Sequence, residues 1–212
     1  MNKPILAIGT AGKVCSVALL INETDFFVYN INKNQVHSEK LINMVDTVLK
    51  DAKTELNELE AIAVSIGPGS FTGLRIGLSA AKGMALGNNL PIIPVSEFDA
   101  AAFQVLPYIK EGDRFNIAIK VNRDEIYFAK YQKEQNNFVE ISNIKIINMF
   151  ELKDNLFQNE LLFGNVDYPD IVNINGVSAE NIAKWASLFG KDLLTLNYDY
   201  LEPNYIKNFT AR

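Results

Sequence analysis

Residues 61–87 read AIAVSIGPGSFTGLRIGLSAAKGMALG. Ala61 to Ile66 is an unbroken apolar run of strand length, the pattern of a strand covered on both faces. Gly67-Pro68-Gly69-Ser70 is turn chemistry, and from Phe71 to about Leu86 the composition is helical. A strand, a glycine-rich turn and a helix start aim backbone N–H groups and the positive end of a helix dipole at an anion. Ser70 or Thr72 is placed to cap the helix, and Gly69, Ser70, Thr72 and Arg75 are the candidate contacts for a nucleotide or phosphate. No Lys-Ser or Lys-Thr follows Gly73, so the P-loop pattern is absent. Taken alone, these residues favour a plainer reading in which Gly67 and Gly69 supply positive φ around Pro68.

The helix carries two rows of small residues. Gly73, Gly77 and Ala81 lie four apart, and Ala80, Gly83 and Gly87 form a neighbouring row. A glycine inside a helix costs about 0.5–1 kcal/mol relative to alanine, so close packing must compensate. Either the helix lies tightly on its own sheet, or its outer side meets another helix at a flat dimer contact. The rows occupy different parts of the surface, and both readings can hold.

Toward the amino terminus, Ile5–Ile8, Val14–Ile21 and Phe26–Ile31 read as three strands with short links, an antiparallel meander. Ser38 is the expected N-cap of a helix with Leu41, Met44, Val45, Val48, Leu49 and Ala52 on one face. Pro91–Val95 is a further strand, and Ser96 caps a third helix with Asp99 in its first turn. The second half repeats this organisation more loosely. Strands are expected at Phe115–Ile119, Glu125–Tyr131 and Phe138–Ile147, then a helix at Met149–Leu156, then strands at Leu161–Phe163 and Ile171–Ile174. Ser178 caps a last helix that Gly190 stops. The expectation is an α/β protein of two lobes, residues 1–106 and 107–212.

The 212 residues are 48% hydrophobic and 21% charged, with net charge −5 and a pI near 5.0. Such a chain holds a full core but grips nucleic acid poorly alone, since that affinity comes from neutralising phosphates. One cysteine, Cys15, and one histidine, His37, exclude an internal disulfide and the usual Cys/His zinc sets. The start has no signal-peptide shape and no apolar stretch reaches the roughly 18 residues of a membrane span. A soluble, cytoplasmic protein without membrane contact is expected.

The block GPGSFTGLRIG, after an AIAV strand and before an Ala/Gly helix, resembles the signature of the TsaB/YeaZ family. ILAIGTAGKVCSVAL at residues 5–19 is similar to that family's ILAIDTATxxCSVAL. His37 to Val45 resembles its H-S/T-x-x-L-x-P-M-V/I helix, Leu90-Pro91 and Pro94-Val95-Ser96 its LPxxxVS step, and Asp124 to Tyr127 its GEVY strand. Tyr200 to Lys207 resembles its terminal element P-x-Y, a Leu or Ile, and a basic residue. The matches are dense over the first 100 residues and thin after 130.

The resemblance implies the actin-like, ribonuclease H-like ASKHA fold of two related lobes. It implies a non-catalytic subunit, with no catalytic or metal-binding residues of its own, that pairs with the metal-binding homologue TsaD, which TsaE joins. The complex places threonylcarbamoyl on tRNA adenosine 37; tRNA is reached only through it, and the isolated subunit can form a homodimer. Pairing is implied to pack Ser38–Ala52 and Phe71–Leu86 against the partner's equivalent helices. The interface residues are then Leu41, Met44, Val45, Val48, Gly73, Ile76, Gly77, Ala80, Ala81 and Met84. No cofactor belongs to the chain itself; ATP or ADP is a candidate at the contact with TsaD. Two departures from the superfold bear on nucleotide use. The aspartate of the first strand-turn is replaced by Gly9, and the turn that often reads I-D-A-R is Ile119-Lys120-Val121-Asn122. Both remove charge that a metal-bound phosphate exploits.

Two rivals are weaker. A small kinase or ATPase needs carboxylates by the glycine loop, and Glu23, Asp25, Asp99 and Asp124 read as turn or cap residues. A peptidase-like Cys15/His37 dyad puts its nucleophile in an apolar strand and lacks a third orienting group, with His37 expected at the surface.

Overall fold

A strand with no exposed residue has to be covered on both sides, and Ile5–Gly9 (β1) and Ala61–Gly67 (β4) are such strands. The computed structural model describes residues 3–33, 35–157 and 160–206. It places β1 and β4 inside a five-stranded sheet with Val14–Leu20 (β2), Phe26–Asn32 (β3) and Ile92–Ser96 (β5), in the order β3-β2-β1-β4-β5. The first three strands are antiparallel; β4 and β5 run parallel to β1.

Alternation along each strand divides the core. Leu6, Ile8, Val17, Leu19, Ile62 and Val64 face helices His37–Asp51 (α1) and Phe71–Asn88 (α2). Ile5, Ala7, Ala18, Ala61, Ala63 and Val95 face Glu97–Val105 (α3) and Ala179–Phe189 (α5), the last of five α-helices among the described residues. The alanines on that face let α5 approach the sheet closely.

The second sheet repeats the topology. Arg114–Lys120 (β6), Glu125–Glu134 (β7) and Asn137–Asn148 (β8) are an antiparallel meander, and Leu161–Gly164 (β9) and Val172–Asn173 (β10) add parallel strands, giving β10-β9-β6-β7-β8. Mapped strand for strand, this is the order of the first sheet. Its helices are reduced: the expected helix at 149–156 is a 3-10 turn, Met149–Glu151, and the four-residue Leu152–Asn155 (α4). Residues 165–171 join β9 to β10 without a helix.

The partition into 1–106 and 107–212 does not follow the packing. The α5 helix lies on the first sheet, where the Ala179 N–H donates to Ser16 Oγ at 2.7 Å. Thr195 bridges Ile92, and the Asn204 N–H donates to the Ile66 carbonyl at 2.7 Å. The carboxyl-terminal segment is thus part of the first lobe. The expected terminal element extends to Lys207, which lies outside the described residues.

One helix start also differs. The first residue of α1 is His37 and its cap position is Val36, with no side-chain capping bond, so Ser38 is not the N-cap. Val36 is buried, and its packing fixes the chain's entry where capping chemistry does not.

Candidate partner-docking surface and interlobe cleft

The glycine loop is built by close approach of two turns. Gly67 has φ +102, a conformation that disfavours any side chain. A Cβ on Gly69 would lie 2.6 Å from the Ala11 carbonyl oxygen, which accepts the Ser70 N–H at 2.7 Å. Ser70 caps α2 as expected, its Oγ accepting from the Gly73 N–H at 3.2 Å. Thr10 sits under the first turn of the helix and donates its hydroxyl to the Gly73 carbonyl at 2.7 Å.

Thr10 settles the inner row. A Cβ on Gly73 would lie 2.1 Å from the Thr10 carbonyl oxygen, one on Gly77 2.2 Å from Thr10 Oγ1, and Ala81 is fully buried. Gly73, Gly77 and Ala81 are therefore packing residues of this chain and not contacts for a visiting helix. Leu41, Met44, Val45 and Val48 are corrected in the same way: all four are buried against the first sheet. Of the expected interface residues, only Ile76, Ala80 and Met84 keep partial exposure. The outer row behaves differently. Among the described residues nothing covers Gly83 and Gly87, and Leu86 on α2 and Ile42 on α1 are large apolar side chains left exposed, at 71% and 54%. Gly83 and Gly87 are visible in the outer glycine row of the sequence; Ile42 lies off the periodic face of α1 and carries no such signal.

Between the lobes is a cleft of about 950 Å³ lined on one side by Ala11, Gly12, Lys13 and Gly69–Gly73, and on the other by Lys120, Asn122 and Asn165. Gly69, Ser70 and Thr72 of the candidate anion set line it. Arg75 does not: it points away, its guanidinium 3.8 Å above the Phe71 ring and its Nε donating to the Tyr205 hydroxyl at 3.0 Å. His37, expected at the surface, also lines the cleft, and its Nε2 is shielded with no partner among the described residues.

None of Glu23, Asp25, Asp99 and Asp124 lines this cleft. Among the described residues the carboxylate that does is Glu97, which sequence reasoning does not single out. It is buried, accepts from the Ser65 hydroxyl at 2.5 Å, and burial pushes its pKa up to about 7 against the opposing pull of the Ser65 and Val177 donors. At Gly9, a Cβ would lie 3.0 Å from Ile182 Cδ1 of α5 and 3.3 Å from the Val177 carbonyl oxygen, so a side chain there would crowd α5 and the residue before its cap. Cys15 is wholly buried and burial pushes its thiol up to about 11, which leaves no thiolate nucleophile near neutrality. Among the described residues, no group of three His, Cys, Asp or Glu side chains is placed to hold a metal ion, and no helix is long and apolar enough to cross a membrane.

Comparison with known proteins adds the family. The model of the family described as TsaD: tRNA N6-adenosine threonylcarbamoyltransferase matches residues 32–167. The tRNA threonylcarbamoyladenosine biosynthesis protein TsaB of Escherichia coli K12 is 39% identical over 133 residues, covering 62% of this chain and 56% of that protein. TsaB of Haemophilus influenzae is 34% identical over 134 residues, covering 63% and 56%. The chain thus spans a little over half the length of these curated relatives. YeaZ from Pseudomonas aeruginosa shares the fold, with a TM-score of 0.77 at 24% identity over 96% of this chain and 100% of that one. The two related sheets, their shared strand order and this full-length likeness make the fold actin-like, and by the family match the chain belongs to the family described as TsaD, with TsaB proteins among its relatives.

Proposed function

We propose that this chain is the accessory, non-catalytic subunit that pairs with a TsaD homologue, and through it with TsaE, to place threonylcarbamoyl on adenosine 37 of tRNA. The observation that carries this reading is the outer surface of α2. A helix with two uncovered glycines next to exposed Leu86 suits close approach by another helix, because small residues let the two axes come near, and exposed Ile42 on α1 adds apolar surface on the neighbouring helix. The names of the TsaB relatives supply the pathway. Net charge −5 supports a chain that meets tRNA only inside the complex, in the cytoplasm.

The non-catalytic part of the reading is supported by Ile182 crowding Gly9 and by the inert thiol of Cys15. No cofactor belongs to the chain in this reading; ATP or ADP has its candidate place at the contact with TsaD, near Gly69, Ser70 and Thr72. Self-pairing of the isolated chain through the same face is the substitute when TsaD is missing.

Reconstitution tests the proposal. The chain is mixed with its TsaD and TsaE homologues, tRNA, ATP and the threonylcarbamoyl donor, and each component is left out in turn. Modified tRNA should vanish when either this chain or TsaD is omitted, and the chain alone should show negligible ATP turnover. Undiminished modification without the chain, or transfer by the chain without TsaD, would overturn it.

A further inference from the structure

Along the edge of α2 nearest the carboxyl-terminal segment, Arg75, Ser79 and Lys82 follow one another at intervals of four and three, so they share one face of the helix. With Leu201, Glu202, Pro203 and Tyr205 they line a groove of about 260 Å³. These two cations are the only charged residues of α2, in a chain of net charge −5. Among the described residues neither takes part in an ion pair, and Glu202 across the groove pairs with neither of them.

Arg75 is also held in place. Its guanidinium rests on Phe71, whose ring centroid is 5.1 Å from that of Tyr205, and the Tyr205 hydroxyl accepts from Nε. Tyr205 is itself fixed through its neighbour Asn204, whose N–H donates to the carbonyl of Ile66. The carboxyl-terminal segment therefore orients a cation on the rim of the exposed helix face. A guanidinium already stacked loses little freedom when a carboxylate pairs with it.

We infer that this edge receives two carboxylates from a helix of the partner subunit, one on Arg75 and one on Lys82. The inference rests on the pairing proposed above and adds the chemistry of the partner's surface. Seven helical residues rise about 10.5 Å, so carboxylates spaced seven apart on a helix lying along α2 meet both cations. A protein helix fits better than a phosphate backbone, because the adjoining surface is Gly83, Gly87 and exposed Leu86 and because the whole chain repels polyanions. Charges on such a rim act chiefly on the association rate.

The test measures association with the TsaD homologue by stopped flow at about 50 mM and about 500 mM salt, where screening differs several-fold in range. The Arg75→Glu/Lys82→Glu variant should associate roughly 10- to 100-fold more slowly at low salt, with a rate that rises with salt where that of wild type falls. Arg75→Gln/Lys82→Gln should show a smaller loss of rate and little salt dependence, and Tyr205→Phe, which removes the hydrogen bond to Arg75 and leaves its stacking on Phe71, a loss of a few-fold. Melting by circular dichroism should be unchanged in all three. If wild type pairs with TsaD and the reversed variant matches it in rate and salt dependence, the charge assignment falls while the pairing stands. If wild type does not pair at all, both fall. A change confined to self-association or to tRNA binding would hand the edge to a second copy or to nucleic acid and also overturn it.

Discussion

The two faces of α2 carry the same residue type for opposite reasons. On the inner face, Gly73 and Gly77 are glycine because Thr10 stands within bonding distance of the helix backbone and leaves no room for a side chain. On the outer face, a Cβ on Gly83 or Gly87 would meet nothing among the described residues. A helix gains nothing in its own stability from those two residues, which each cost about 0.5–1 kcal/mol relative to alanine. Small residues on a helix therefore mark close approach without saying by whom. The inner pair is offset by contact with the chain's own β1 turn; in the proposed pairing, the outer pair meets a helix of the partner.

The largest expected effect comes from breaking the inner contact. Gly77→Leu drives a side chain into Thr10 and should cost about 3 kcal/mol or more, read as a large fall in the denaturant midpoint. A denaturant titration with a midpoint close to wild type would show that Thr10 and the helix separate easily and would erase the distinction between the two faces.

A smaller effect is expected beneath the same loop, where Glu97 accepts from Ser65 of β4. Its folded pKa of about 7 lies above the ordinary carboxylate value, so the folded form holds its proton more tightly than the unfolded chain. Stability from this group is fully present below the ordinary value and is lost as pH rises through about 7, a change of roughly 3 kcal/mol. Asp99, pushed up to about 6 chiefly by burial and then by Glu140, acts in the same direction. Glu97→Gln should flatten most of the decline between about pH 4.5 and 7.5 in denaturant titrations. An unchanged slope would mean that Glu97 ionises in the fold at no cost.

The smallest effect on stability belongs to the outer face. Gly83→Glu replaces a poor helix former at an open position and should raise stability by about 0.5 kcal/mol, read as a slightly higher melting temperature.

Much of the first lobe is legible in the sequence because its signals are local. The apolar runs of β1 and β4, the Ser70 and Ser96 caps and the helical stripe of α1 all stand within a few residues of what they determine. What escapes depends on distant partners. Thr10 meets Gly73 across 63 positions and Arg75 meets Tyr205 across 130, and no periodicity encodes either pairing. That is why Gly73, Gly77 and Met44 read as interface residues and prove to be core, and why Arg75 reads as a companion of Ser70 and Thr72 and proves to face the other way. The shrunken helix at 149–156 escapes for a related reason: its apolar residues fill one side of a sheet that needs only a short cover.

If α2 keeps its inner glycines for itself and its outer glycines for a partner, a side chain added on the outer face should spare the fold and block the pairing. Isothermal titration of Gly83→Glu into the TsaD homologue, with its melting curve recorded alongside, reads both at once. The expected result is a fold at least as stable as wild type and an affinity lowered roughly 100-fold or more, since a buried, unpaired carboxylate at a helix–helix contact costs several kcal/mol. Full affinity in a folded Gly83→Glu protein would contradict the division of the helix into a face for the chain and a face for its partner.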